Sequence, residues 1–303
     1  MTSGSVVDSA MLPGMSRKIS PKKPRVAIVG AGNLASALAV ALHVAGYGIE
    51  QIVSRGSTAS LRRARRLARE VGAAAVTASQ AHVRAEIVWF CVPDAAIADV
   101  AESLADAGDW KGKVALHSSG ALTSDELAGL RERGAEVASA HPLMTFVNGS
   151  RPPLAGVSFA VEGSPKAVRA ARAIILDLRG QPVAVRKRQK EAYHAWGMFA
   201  SPLLTALLAA GERVAGAAGV SRKAARERML PILRQTLTNY ARLGAPASFS
   251  GPIVRGDVAT VAKHLKVLLE VPGVREVYVA LALSALRDLP AKDRAGLDKM
   301  LRG

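Results

Sequence analysis

Residues 25–35, Arg-Val-Ala-Ile-Val-Gly-Ala-Gly-Asn-Leu-Ala, constrain this chain more than any other segment. The apolar run Val26 to Val29 reads as a buried strand and leads directly into Gly30, Gly32 and Ala35, the spacing of a dinucleotide-binding turn. Gly30 permits the tight turn from strand to helix. Gly32 lets the backbone around Asn33 and Leu34 approach a pyrophosphate, and Ala35 keeps the new helix close to its strand with its positive end toward the phosphates. An apolar helix over 34–44 follows, and Gly46-Tyr47-Gly48 closes it before a second strand over 49–53. The result is a complete βαβ unit.

The end of the second strand indicates which nucleotide. Folds that bind NAD place an acidic side chain there to accept the ribose 2′-hydroxyl hydrogen bonds, and that carboxylate would repel a 2′-phosphate. This chain has Ser54-Arg55 instead. A hydroxyl and a guanidinium suit a phosphate dianion, so the reading is NADP(H), the alternative being that Arg55 is a solvated loop cation.

With 303 residues, half of them hydrophobic, the chain can bury one large core or two moderate ones, and two domains is the better expectation. Its single cysteine, Cys91, lies in the apolar run 87–92; it excludes an intramolecular disulfide, fits a reducing cytoplasm and reads as a packed core residue. Residues 1–23 read as a disordered tail without the apolar stretch of a secretory signal. The apolar run 195–211 is short for a membrane span and contains Ser201, Pro202 and Thr205, so a buried helix and no membrane association are expected. The net charge of +17 is dispersed, with aromatics at only 4%, which argues against a stacking platform for nucleic acid and leaves a role in steering anionic substrates.

Beyond the first unit, helices over 61–70, 96–105, 125–133 and 165–178 alternate with strands over 75–77, 87–92, 114–117, 136–140, 157–161 and 182–185. This alternation is the pattern of an α/β, doubly wound parallel sheet, with ligands at the carboxyl ends of the strands. Thr123 and Glu126 have the spacing of a capping box. From Arg186 onward the strand pattern stops, and helices are expected over 187–217, 221–243, 256–270 and 273–287. The domains are therefore placed at 24–185 for the nucleotide-binding sheet and 186–303 for an all-helical unit.

The order of parts resembles the superfamily of 6-phosphogluconate dehydrogenase, pyrroline-5-carboxylate reductase and ketopantoate reductase. Its marks are the glycine turn, Ser54-Arg55, Val92-Pro93-Asp94, HSSGAL over 117–122, HPLMTF over 141–146, KEAYHA over 190–195 and SGPIVRGD over 250–257. Within that superfamily the motifs resemble a bacterial family in which a Rossmann-like domain precedes a helical domain of unknown function. The resemblance implies cofactor contacts at Val92, Pro93, Ser118 and Gly120, although Gly120 equally reads as a glycine required by a tight turn. The helical half is expected to supply both an active-site lid and a homodimer interface, because helices this apolar rarely stay uncovered in a monomer. Pro202 and Met144 stand where family members often carry Asn and Gln, and the lysine-and-asparagine pair of the hydroxyacid dehydrogenases does not appear at its usual spacing on the linking helix.

Hydride transfer to a ketone or imine needs a proton donor at the developing anion and an anchor for the substrate. His194, on a helix resembling one that overlies the nicotinamide in pyrroline-5-carboxylate reductases, is the candidate general acid, the alternative being a structural helical histidine. Arg255 is the candidate carboxylate anchor and Asp257 its neighbour, the alternative being a capping ion pair. Ser119, His141, Asn239 and His264 stand behind them. The expected function is NADPH-dependent reduction of a small carboxylate-bearing ketone or imine; the rivals are a non-catalytic NADP-binding sensor and a charge-driven anion binder.

Overall fold

A computed structural model describes residues 23–303, so the tail expected over 1–23 lies outside the described residues except for its last position. Lys23 is tied down: its ammonium donates to Asp177 at 2.6 Å and to the Ala45 carbonyl at 2.9 Å, over the ring of Tyr47.

The chain divides into two units, split between His194 and Ala195. The first contains β1 (Val26–Val29), α1 (Asn33–Val44), β2 (Ile49–Ser54), α2 (Thr58–Val71), β3 (Ala74–Thr77), β4 (Ile87–Phe90), α3 (Ile97–Ser103), β5 (Val114–His117), α4 (Ala128–Glu132), β6 (Glu136–Pro142), β7 (Ser158–Gly163), α5 (Pro165–Asp177) and β8 (Gln181–Ala184). Helix α6 (Lys190–Ala200) begins in this unit, beyond the boundary expected at 185, because its first residue is buried against the sheet.

The eight strands form one sheet in the order β3-β2-β1-β4-β5-β6-β7-β8. Every neighbouring pair is parallel except β6 and β7. Residues 143–157 between those two contain no helix to carry the chain back across the sheet, so β7 returns antiparallel. Side chains alternate between two cores. Val26, Ile28, Trp89 and Leu116 pack with α1, α2 and α5 on one face, and Ala27, Val29, Val88 and Phe90 pack with α3 and α4 on the other. Burial on both faces explains why the central strands read as unbroken apolar runs.

The register sets the site. Val53, Val29, Phe90, His117 and Ser139 stand side by side across β2, β1, β4, β5 and β6, so Ser54, Gly30, Cys91 and Ser118 emerge together at the carboxyl edge. The order reverses between β1 and β4, the crevice where such sheets bind ligands.

The second unit contains the rest of α6 and then α7 (Pro202–Ala217), α8 (Arg222–Ser248), α9 (Pro252–Arg255), α10 (Val258–Leu268), α11 (Val274–Asp288) and α12 (Arg294–Arg302). Its core is small: Val261, Leu265, Ala282, Leu286, Leu297 and Leu301. The expectation of a buried helix over 195–211 is corrected here. The stretch breaks at Ser201, and Phe199 is 71% exposed, because α6 and α7 are apolar around most of their circumference and the unit covers only part of it. By length and composition the run 187–217 is long and apolar enough to cross a membrane.

Candidate active site

The glycine turn is wedged between two strand ends. Gly30 has φ +112°, its N–H donates to the Val53 carbonyl at 2.8 Å, and a Cβ there would stand 2.3 Å from the Cys91 carbonyl oxygen. Gly32 is different: its φ is −81° and a Cβ would meet nothing within 4 Å. The space before it is therefore open to a ligand. Ala35 is fully buried in the first turn of α1, and Asn33 donates its side-chain amide to the Phe146 carbonyl at 3.1 Å, which fastens the 143–157 connection to the turn.

A cavity of about 480 Å³ runs from Gly30 and Gly32 past Ser54 and Arg55 to Val92 and Pro93. Ser54 is buried, yet its hydroxyl has no hydrogen-bond partner among the described residues. A buried polar group left unpaired costs about 1–3 kcal/mol, so this wall is built for a group that the chain does not itself provide. An open glycine turn at a helix N-terminus, an orphaned hydroxyl and an exposed Arg55 fit a dinucleotide bearing a 2′-phosphate. Cys91 beside it is no nucleophile, since burial pushes its thiol up to about 12. Ser118 accepts the Trp89 indole N–H at 2.8 Å, which gives its hydroxyl a structural partner.

The HSSG loop after β5 is held from beneath. The Ser119 hydroxyl donates to Asp94 at 2.7 Å and accepts the Leu122 N–H at 2.9 Å, so both its roles are taken inside the fold. Its carbonyl accepts from the Ser139 hydroxyl and from Lys190 at 3.1 Å. Lys190 is 1% exposed; it also donates to the Ser139 hydroxyl and lies 3.8 Å from Glu162, whose carboxylate takes the Ser124 N–H and hydroxyl. Burial draws the Lys190 ammonium down to about 8, against the pull of Glu162 and Asp94. Sequence reading missed Lys190, Asp94 and Glu162. The one signal for Lys190 was its place four residues before His194, on the same helix face. The capping box at Thr123 is also corrected: its hydroxyl pairs with the N–H and carboxylate of Asp125 rather than with Glu126.

His117 is fully buried, accepts the Ser119 N–H at Nδ1 and meets the Thr123 carbonyl at 2.9 Å through Nε2, so the proton belongs on Nε2. Burial lowers its pKa to about 4. An unfolded histidine takes up its proton near 6.5 and the folded one only near 4, so stability is fully present above about 6.5 and is lost as pH falls toward 4. His117 alone contributes about 3 kcal/mol to that loss. Chemical denaturation between pH 7 and 4 checks this, and His117→Gln is expected to flatten the slope.

Gly120 is required by its neighbours and needs no left-handed backbone. A Cβ there would lie 2.5 Å from His194 Cδ2 and 2.9 Å from His141 Nε2. The two imidazoles stand edge to face with centroids 5.9 Å apart. His141 is pulled down to about 4 by burial first and then by the charges of His194 and Lys190, and its Nδ1, like the Ser54 hydroxyl, is buried without a hydrogen-bond partner among the described residues. His194 is half-buried at the end of the first unit. Two ring edges therefore converge on one glycine at the carboxyl edge of the sheet.

The remaining candidates lie in the helical unit. Asp257 caps α10, accepting the Thr260 N–H at 3.0 Å and its hydroxyl at 2.7 Å, so these bonds are those of the capping alternative. Thr260 is consumed by the same bonds and is not free for an anion. Arg255 ends α9, exposed, before a left-handed Gly256. Asn239 accepts from Gln235 at 2.7 Å, and His264 meets the Tyr278 hydroxyl at 3.2 Å in the wall of an apolar pocket.

A doubly wound sheet with this turn at its switch point, followed in the chain by a helical unit, defines a Rossmann-type fold. Residues 11–142 match the family described as a Rossmann-like domain, and residues 157–285 match Domain of unknown function (DUF2520). The chain therefore carries a Rossmann-like domain followed by a DUF2520 domain, the order of parts that its motifs imply. No curated protein matches it in sequence. Among solved structures it is similar to an imine reductase from Pseudomonas sp. (25% identity, 92% of this chain and 99% of that one, TM-score 0.64). It also resembles a putative NADP oxidoreductase from Bacteroides fragilis (22%, 88% and 98%, TM-score 0.75) and a pyrroline-5-carboxylate reductase from Coxiella burnetii (16%, 92% and 98%, TM-score 0.57).

Proposed function

We propose that the protein is an NADPH-dependent reductase of a small carboxylate-bearing ketone or imine. The observation that carries this reading is the pair of imidazoles converging on Gly120, at the sheet edge that also presents the glycine turn and Ser54. The names of the similar structures, an imine reductase and a pyrroline-5-carboxylate reductase among them, support the reaction class. When bound, the dinucleotide would supply the hydride, with Gly30, Gly32, Asn33, Leu34 and Ala35 around the pyrophosphate, Ser54 and Arg55 toward the 2′-phosphate, and Val92, Pro93, Ser118 and Gly120 along the remainder.

The chain's own residues then have two tasks. Lys190, Asp94 and Ser139 fix Ser119 and so hold the loop that presents Gly120. His194 delivers a proton to the oxygen or nitrogen that gains negative charge as the neighbouring carbon is reduced. His141, neutral above about 4, accepts a hydrogen bond beside it instead of competing as an acid. Arg255 is the proposed carboxylate anchor.

The exposed apolar surface of α6, α7 and α8, where Phe199, Leu203, Ile232 and Leu237 face solvent, supports a homodimer in which a second copy covers it. Sedimentation is expected to show a dimer, and a strict monomer would remove this part. Consumption of NADPH with a panel of 2-oxo acids and cyclic imines tests the reaction. Tight NADPH binding with no consumption across that panel would leave the sensor reading in its place.

A further inference from the structure

Helix α2 carries five arginines, at 62, 63, 65, 66 and 69, and they differ in what they face. Arg63 and Arg66 line a cavity beside the glycine turn, and Arg63 lines a second one as well. One is the nucleotide crevice containing Ser54, Arg55 and Ser60. The other, about 520 Å³, lies beside Gly32, Asn33 and Ser36 and is walled by Glu70 and Arg151.

The charges around the second cavity are largely matched. Glu70 and Arg151 form a two-pronged ion pair, and Arg66 adds its field to the same carboxylate. Arg63 has no carboxylate partner among the described residues. A helical side chain leans toward the N-terminus of its helix, so the guanidinium of Arg63 reaches back over the first turn of α2. That turn, capped by Ser57, directly follows Ser54-Arg55-Gly56. A cation without an ion-pair partner among the described residues thus lines, together with Arg55, a crevice whose wall already holds the orphaned Ser54 hydroxyl.

We propose that Arg63 is a second specificity residue for the ribose 2′-phosphate, closing with Arg55 on either side of the dianion. The proposal rests on the NADP reading given above. Two guanidiniums offer planar pairs of donors to a doubly charged phosphate, whereas a 2′-hydroxyl gives them nothing comparable. Selectivity is therefore shared between a strand end and a helix one turn further on.

Calorimetric titration of the full chain with NADPH, NADH, adenosine 2′,5′-bisphosphate and 5′-AMP tests it without any turnover. Arg63→Gln is expected to weaken NADPH and the bisphosphate by about tenfold or more, and NADH and 5′-AMP by less than about twofold. Arg63→Lys is expected to recover part of the loss, because it restores the charge without the fork. Arg63 is exposed on its helix, so an unchanged melting temperature accompanies the expected result. Equal weakening of NADPH and NADH would place the side chain on the pyrophosphate and overturn the proposal. So would unchanged NADPH affinity in Arg63→Gln while the wild type binds. Wild-type protein that binds none of the four compounds overturns the NADP reading and this proposal together.

Discussion

Alanine at Gly32 is expected to leave the melting temperature within a degree or two of wild type while weakening NADPH binding by about tenfold or more. The backbone there is extended and a Cβ meets no protein atom within 4 Å, so the folded chain loses nothing. The methyl group instead occupies the space through which a pyrophosphate approaches the helix N-terminus. Alanine two residues earlier has the opposite signature. At Gly30 a Cβ collides at 2.3 Å with the Cys91 carbonyl, which cannot retreat because the Cys91 N–H is bonded to Val29 at 2.7 Å in the β1–β4 ladder. The left-handed φ adds a further penalty, and the sum is about 3–5 kcal/mol of stability. A Gly30→Ala variant as stable as wild type would contradict the wedged turn. A Gly32→Ala variant that binds NADPH normally would contradict the placement of the phosphates.

His194→Ala is expected to lower kcat by about 10²–10⁴ with NADPH affinity unchanged, once a substrate is in hand. The ring stands against Gly120 and His141, while the glycine turn that would hold the dinucleotide is built from other elements. His141→Gln is expected to cost less, since that imidazole stays neutral across the working range. Loss of nucleotide affinity in His194→Ala would make the side chain a cofactor contact instead. Unchanged turnover would move the proton donor to another residue.

The glycine turn and the crevice beside it are legible in the sequence because their residues are contiguous. Gly30, Gly32 and Ala35 fall within six residues, and Ser54 and Arg55 close the very next strand. What holds the loop over 117–120 is not legible. Lys190, Glu162, Ser124 and Asp94 come from α6, β7, the turn before α4 and the segment after β4, and only the sheet register brings them together. A buried lysine has no local pattern that separates it from the solvated lysines around it. The antiparallel turn of β7 was hidden because apolar alternation does not record strand direction. The apolar run after His194 was misjudged for a related reason: an apolar pattern marks a surface and does not record whether this chain covers it.

The central claim is that the crevice holds NADPH in preference to NADH. Titration of the purified protein with each nucleotide, followed by nicotinamide fluorescence, tests it most directly, with Arg55→Ala alongside. Tight NADPH binding, much weaker NADH binding, and a variant in which that difference collapses are expected. Equal affinity for both nucleotides would contradict the reading of Ser54 and Arg55, and binding of neither would contradict the reductase.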